Sequence, residues 1–368
     1  MDRDLSHVKK AIEAFKMGEM LVVTDDDDRE NEGDLFVAAE HCTPEAMAFI
    51  VRHTSGIVCA PMPVADARRL RLDPMVSAND APLGTAFTIS VDVRHGLTTG
   101  ISAEERTNTV RALANGNIGA EDFVRPGHVF PLIAREGGVL VRSGHTEACV
   151  DLCQLAGLQP VGVLAELVND DGTVKRGQQV TDFADEHDLK MVSVADLIAF
   201  RQRSERLVSR VDEGPIDTPF GPAKAYSYSV PFDAMQHLAV VFGDIEGKKD
   251  VPVRLHLEQV AQDVFGAQTR LNKVLKRMAS SECGVVVYLR EGSVGVANVS
   301  ARHVRTASGV EDDHETANQR QSEWREIGLG AQILRDLGLT SIKLVASQKR
   351  TYVGLEGFGI TISQTELV

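Results

Sequence analysis

Two apolar segments, Met20–Val23 and Leu35–Ala39, flank the ten residues Asp25–Asp34, whose sequence DDDDRENEGD is acidic everywhere except at Arg29, Asn31 and Gly33. Both flanks read as strands, so the fold has to accommodate a dense block of negative charge where two strands end. Such a block repels itself unless solvent or a cation compensates it. On an extended backbone the two-residue side-chain period sets Glu30, Glu32 and Asp34 on one face, roughly 6–7 Å apart. Hard oxygen donors without a nearby thiol favour Mg²⁺ or Mn²⁺ over zinc. A solvated acidic loop is the alternative, since most charge runs are solvated faces.

At 368 residues the chain exceeds one ordinary core, and two domains are expected. With 43% hydrophobic and 25% charged residues it has the composition of a globular protein, not of a disordered or fibrous one. A net charge of −14 repels phosphate at long range and argues against nucleic acid or an anionic membrane as the main partner. The sequence contains no apolar run of membrane-spanning length, and its start, MDRDLSHVKK, lacks the apolar core of a secretion signal. A cytoplasmic location is therefore expected. Cys42, Cys59, Cys149, Cys153 and Cys283 show no paired metal spacing and read as reduced thiols.

Through about residue 200, strand-like runs alternate with helical patterns and glycine turns, which points to an α/β or α+β domain built on a mixed sheet. Val194–Val211 reads as one helix that becomes charged at its end, with Gly214 and Pro215 breaking the pattern after it. This sets domains at 1–205 and 206–368. The second half has a turn at Thr218–Gly221, strands VPVRLHL, GVVVYLR and SIKLVA, and helices over Gln268–Met278 and Ile327–Leu337. It reads as a second α/β domain.

Three segments of the first half hold polar residues that packing does not require. In RPGHVFPL, His128 follows a Pro-Gly turn, where it is either a hydrogen-bonded structural residue or part of a site. In GGVLVRSGHTEACVDLCQLAGL, an expected strand at Val139–Val141 runs through Arg142, Ser143, Gly144, His145 and Thr146 into a helix. A strand, glycine turn and helix start can hold an anion on backbone N–H groups, with Arg142 adding a phosphate contact and His145 a neutral imidazole for a metal. A plain helix cap by Thr146 is the competing reading. In VGVLAELVNDDG, Glu166 interrupts an apolar strand before an NDDG turn. It either faces solvent or belongs to a site, where desolvation suits it to acid–base work.

The segments DDDDRENEGD, GISAEERTNTV, RPGHVFPL, RSGHTEA and AELVNDDG, in this order, resemble 3,4-dihydroxy-2-butanone 4-phosphate synthase over about the first 200 residues. The resemblance implies conversion of D-ribulose 5-phosphate into L-3,4-dihydroxybutan-2-one 4-phosphate and formate. It further implies one or two Mg²⁺ (or Mn²⁺) ions and active sites at a homodimer interface. Carried over by residue, Glu30 and His145 match the metal ligands. Arg29, Asp34 and the Arg142–Thr146 turn match substrate- and phosphate-binding positions, and His128 and Glu166 match residues needed for catalysis. For the proton transfers themselves Asp34, Glu166 and His128 are the expected acid–base residues. Glu32, Cys59 and Thr107 stand at positions associated with the site.

In the second half TPFG, VPVRLHLEQVAQDVFGA, GVVVYLREGSVGV and LGAQILRDLGLTSIKLV are similar to GTP cyclohydrolase II over about residues 208–368. The zinc cysteines of that family are missing: the strand reads His256, Leu257, Glu258, Gln259, and DVFGAQTRLNKVL holds no Cys. Its Gly-Arg-Gly turn reads Gly292, Ser293, Val294, Gly295, and its Thr-Asn-Asn-Pro stretch reads Ala346, Ser347, Gln348, Lys349. A zinc-free, catalytically silent second domain is expected, with a bifunctional enzyme as the alternative.

Overall fold

The two apolar flanks of the acidic run pair with each other. β1 (Leu21–Thr24) and β2 (Gly33–Ala38) are antiparallel, with Leu21 opposite Phe36 and Thr24 opposite Gly33. The computed structural model describes residues 5–25, 31–81, 84–231, 233–266, 270–290, 328–346 and 358–367. The chain divides into two compact units between Phe200 and Arg201.

In the unit Asp4–Phe200 the further strands are β3 (Cys59–Met62), β4 (Val91–Val93), β5 (Phe123–Ile133), β6 (Gly162–Glu166) and β7 (Lys190–Ser193). They form one mixed sheet in the order β4-β5-β3-β6-β2-β1-β7, in which β1–β7 and β3–β5 are the parallel pairs. The helices are α1 (Ser6–Lys16), α2 (Pro44–His53), α3 (Val64–Arg69), α4 (Ala103–Ala114), α5 (His145–Leu155), α6 (Gln178–Glu186) and α7 (Val194–Ser204). Local chemistry sets several starts. Thr43 caps α2 ahead of Pro44, and Ser102 with Glu105 forms a reciprocal capping box on α4.

Residues paired directly across strands share a face. One face of this sheet carries Leu35, Val37, Ala60, Met62, Val163 and Ala165. These pack with Met47 and Ile50 of α2, Val110 and Leu113 of α4, and Val180 and Phe183 of α6 into the main core. The other face carries Asp34, Phe36, Cys59, Leu164 and Glu166 and receives α5. Here Gly162 is required, because a Cβ at that position would overlap the buried Cys149 sulfur. The sheet thus buries a purely apolar layer on one side and keeps its acidic residues for the other.

Three expectations are corrected. Val139–Val141 is not a strand: Gly137 and Gly138 take positive φ of 94° and 63°, and Gly138–Leu140 forms a 3₁₀ turn. The helix expected over Val194–Val211 stops at Ser204, because the buried Gln332 side chain bonds the carbonyls of Gln202 and Glu205 and accepts the Leu207 N–H. Gly214 and Pro215 do not interrupt structure but lie within β8 (Ser209–Thr218), an edge strand, where a missing N–H costs no ladder bond.

The unit Arg201–Val368 continues with β9 (Gly221–Val230), β10 (Asp233–Gly243), β11 (Val251–Leu257), β12 (Cys283–Leu289), β13 (Ser341–Ala346) and β14 (Thr361–Leu367). The sheet order is β14-β13-β11-β12-β10-β9-β8, with α8 (Val260–Phe265), α9 (Arg270–Ala279) and a helical stretch over 328–336. Val240, Phe242, Val274, Met278, Val286 and Val345 form a core between this sheet and α9. The fold class expected from sequence, two successive mixed α/β domains, is the fold observed.

Leu113 is fully buried in the main core of the first unit. Leu113→Ala is expected to destabilise that unit by about 2–5 kcal/mol, read as a lowered denaturant midpoint of its unfolding transition.

Candidate active site

Strand register places Asp34 directly opposite Glu166. Side chains so paired have Cβ atoms about 5 Å apart, so two carboxylates meet on the polar face of the sheet. Asp34 is buried at 1% exposure, and His145 Nδ1 stands 3.5 Å from its Oδ2. The His145 ring lies edge-on to Phe36, with centroids 6.0 Å apart, so packing fixes the imidazole beside the carboxylate. Glu166 is partly exposed, contrary to the burial that sequence suggested as one option. Ser55 holds it, donating from Oγ to Oε2 at 2.8 Å and from its backbone N–H to the Glu166 carbonyl at 2.8 Å.

Cys59 completes this cluster, paired across strands with Leu164, two residues before Glu166. Burial pushes its thiol far above the ordinary range, and the charges of Glu166 and Asp34 push it in the same direction. That direction keeps it a neutral thiol next to the carboxylates.

α5 begins at His145 with Gly144 as its N-cap and no side-chain cap, so Thr146 is the second helical residue and not the cap. Arg142 reaches across Gly144 to bond Glu147 Oε2 at 2.6 Å, and Glu147 Oε1 accepts the Arg135 N–H. A Cβ on Gly144 would intrude on both the guanidinium and the carboxylate. Glycine therefore lets the Arg142–Glu147 pair hold a cation beside the positive end of the helix dipole, with Ser143 partly exposed in the same loop.

His128 occupies a bulge, Arg125–His128, where β5 departs from its register with β4. Its Nδ1 is 2.7 Å from Asp92 Oδ2, and its backbone N–H donates to Asp92 Oδ1 at 2.8 Å. Asp92 is buried, while the His128 side chain is 41% exposed, so Nδ1 is anchored and the rest of the ring faces outward. Gly127 permits this, because any Cβ would collide with the Val91 backbone.

Other candidates fall elsewhere. Glu32 pairs with Arg176, Nη2 to Oε1 at 2.6 Å, and its N–H bonds Asp25. Asn31 adopts φ of 52°, so the extended backbone of Glu32–Asp34 does not continue back through it. Thr107 is buried on α4 beside Cys42, whose thiol burial pushes up to about 11. Arg29 and Glu30 lie outside the described residues. Among the described residues no three His, Cys, Asp or Glu side chains form a group able to hold a metal ion. Asp92, Ser55 and Glu147 were not foreseen from sequence. Asp92 carried a usable signal, an acid between Val91 and Val93, of the same kind that singled out Glu166.

A family model of 3,4-dihydroxy-2-butanone 4-phosphate synthase matches residues 9–200. The chain belongs to this synthase family. A GTP cyclohydrolase II model matches residues 209–366. The chain is 46% identical over 370 residues to the bifunctional riboflavin biosynthesis protein RIBA 1 of Arabidopsis thaliana, covering 97% of this chain and 68% of that protein. A solved structure of RibBX, a two-domain 3,4-dihydroxy-2-butanone 4-phosphate synthase from A. baumannii, aligns with a TM-score of 0.80 at 34% identity, covering 98% of this chain and 99% of that one. A synthase structure in complex with two magnesium ions aligns with a TM-score of 0.52 at 45% identity, over 54% of this chain and 97% of that one. The protein is an enzyme of riboflavin biosynthesis with a synthase domain followed by a cyclohydrolase-like domain.

All five cysteines are buried, and burial raises the thiols of Cys42 and Cys59. A raised pKa keeps a thiol protonated through neutral and mildly alkaline pH. Labelling of the native protein by a thiol reagent at pH 8 is therefore expected to be slow at all five positions and to become complete only on unfolding. Rapid stoichiometric labelling of Cys59 at pH 8 is the contrary result.

Proposed function

We propose that the chain converts D-ribulose 5-phosphate into L-3,4-dihydroxybutan-2-one 4-phosphate and formate, and that its second unit has no GTP cyclohydrolase II activity. The observation that carries the first part is the meeting of Asp34, Glu166 and His145 on one sheet face at the start of α5. The reaction passes through enediol formation, loss of water, a carbon shift and hydrolytic cleavage, and each stage needs protons moved at neighbouring carbons.

The described residues supply part of a donor set, the His145 imidazole 3.5 Å from the Asp34 carboxylate, with the adjacent Cys59 thiol kept protonated by burial, and a carboxylate and an imidazole suit a hard divalent cation once Glu30 joins them. In this reading Glu30 and His145 hold Mg²⁺ or Mn²⁺, and the synthase relative with two magnesium ions supports one or two ions. Bound there, the cation supplies Lewis-acid stabilisation of negative charge on the substrate oxygens. The chain's own residues do the rest. The first proton, from C1, passes to a carboxylate of the Asp34–Glu166 pair, with Ser55 fixing the orientation of Glu166. Anchored by Asp92, His128 exchanges protons with later intermediates. The phosphate sits at the α5 N-terminus among Arg142, Ser143, Gly144 and Thr146, with Arg29 beside it.

A homodimer with the site at the subunit interface and a cytoplasmic location belong to the same proposal. Ile57 and Ile101, close in sequence to Ser55 and Gly100, are about half exposed, which suits a surface covered by a second subunit. No described helix is long and apolar enough to cross a membrane.

The silent second unit rests on its own side chains. His256 Nε2 lies 3.0 and 3.1 Å from the Asp263 oxygens, and Asp263 also accepts from Tyr288 Oη at 2.9 Å and the Gln259 N–H at 2.8 Å. Glu258 is taken by Arg290 at 3.0 Å. The retained family residues are tied to one another, the thiolates are absent, and the set does not fit structural zinc. The altered Gly292–Gly295 and 347–349 segments lie outside the described residues.

Purified protein with ribulose 5-phosphate and Mg²⁺ is expected to release formate and to lose this on chelation. Glu166→Gln should lower kcat by about 10²- to 10⁴-fold with an unchanged melting curve. If that variant retains both C1 solvent exchange and turnover, Glu166 has no proton-transfer role. With GTP and added zinc the wild-type protein is expected to release neither formate nor pyrophosphate, and release of both would make it bifunctional.

A further inference from the structure

A groove of about 440 Å³ in the unit Arg201–Val368 lies between the last turn of α7 and the helical stretch 328–336. Around the floor residue Gln332 its charged and hydroxyl lining is Arg203, Ser204, Glu205, Arg206, Arg335 and Asp336. Both carboxylates are already engaged. Glu205 receives Nε and Nη2 of Arg201 at 2.6 and 2.9 Å. Asp336 receives Arg210 at 2.7 and 3.0 Å, Tyr228 Oη at 2.9 Å and Arg206 at 3.0 Å. Arg201 and Arg210, the latter shared with Glu213, are not among the groove-lining residues and meet the acids from behind, while Arg206, bonded to Asp336, lines the opening with Arg203 and Arg335. Arg335 is exposed and makes no side-chain hydrogen bond or ion pair among the described residues, and Arg206 is 76% exposed.

The floor is rigid. Buried Gln332 donates to the carbonyls of Gln202 and Glu205 and accepts the Leu207 N–H at 2.6 Å, which occupies the carbonyls that end α7. In a chain of net charge −14, a preformed cationic groove is an exception that the general field does not explain.

We propose that this groove binds the phosphoryl group of a soluble small molecule of nucleotide size. Guanidinium forks match phosphate oxygens in pairs, and the volume falls in the range of small-ligand sites, roughly 300–1,000 Å³. A polyanion or an anionic membrane would bring many phosphates against the negative remainder of the chain, and that repulsion selects a compact ligand. The site is independent of the synthase reading, since every lining residue belongs to the second unit.

The test is calorimetric titration of the full-length protein with ADP and with inorganic pyrophosphate at about 50 mM salt, where screening is weak. Saturable one-to-one binding is expected, weakened about tenfold by Arg335→Ala and by Arg206→Ala and only partly restored by Arg335→Lys, which keeps the charge and loses the fork, with formate release from ribulose 5-phosphate unchanged. Arg335 is exposed, so its substitution leaves folding intact, and a melting curve verifies this. No saturable heat from either probe, or equal affinity in the alanine variants, overturns the proposal. So does tighter binding to phosphatidylglycerol vesicles than to ADP.

Discussion

The antiparallel register of β2 and β6 sets Asp34 against Glu166, and most of the first unit is arranged around that encounter. Two like charges at cross-strand distance are destabilising unless something positive lies near. Here the compensation is structural as well as chemical. The start of α5 brings an imidazole to Asp34, Ser55 bonds Glu166, and the apolar layer with its three helices occupies the opposite face. Slipping β2 by one residue against β6 would turn Asp34 toward the hydrophobic core and Leu35 away from it. The burial of that core therefore holds the carboxylates in position.

Much of this was legible in the sequence where side-chain periodicity and burial agree. The strands flanking the acidic run, the turn after Glu166 and the helix after His145 follow from local pattern, and so do the strands VPVRLHL, GVVVYLR and SIKLVA. What escaped depended on contacts made far along the chain. Gln332 ends α7 from 128 residues away by hydrogen-bonding Leu207 and its neighbours, and no property of the helix sequence announces it. Asp92 and His128 are 36 positions apart and meet only through a bulge, so a lone histidine on a turn gave no hint of its partner. The Asn31 backbone conformation ends an extended stretch that the letters alone carried further back. Local signals predict elements, and tertiary partners decide which polar residues become a site.

The second unit keeps the fold of its family without the cysteines at the positions the family uses for zinc. Its sheet and the core against α9 need only apolar side chains of suitable volume, and these are present. Zinc binding in that family needs thiolates at particular positions, and here the first reads Gln259 while the segment after Asp263–Gly266 holds no Cys. Histidine and carboxylate residues left without such a centre would be costly if buried alone. His256, Asp263 and Tyr288 instead satisfy one another, with the His256 and Tyr288 rings stacked at 5.3 Å.

Pro215 in β8 bears on how this protein behaves at high concentration. An outermost strand offers a row of open backbone groups on which a neighbouring molecule can lay down a strand of its own. Along β8 that row lacks one N–H, and the strand is studded with exposed Arg210, Asp212, Glu213 and Asp217. Growth of fibres or swapped sheets from this border is disfavoured by the backbone itself, and a crowded cell gains no template for aggregation there.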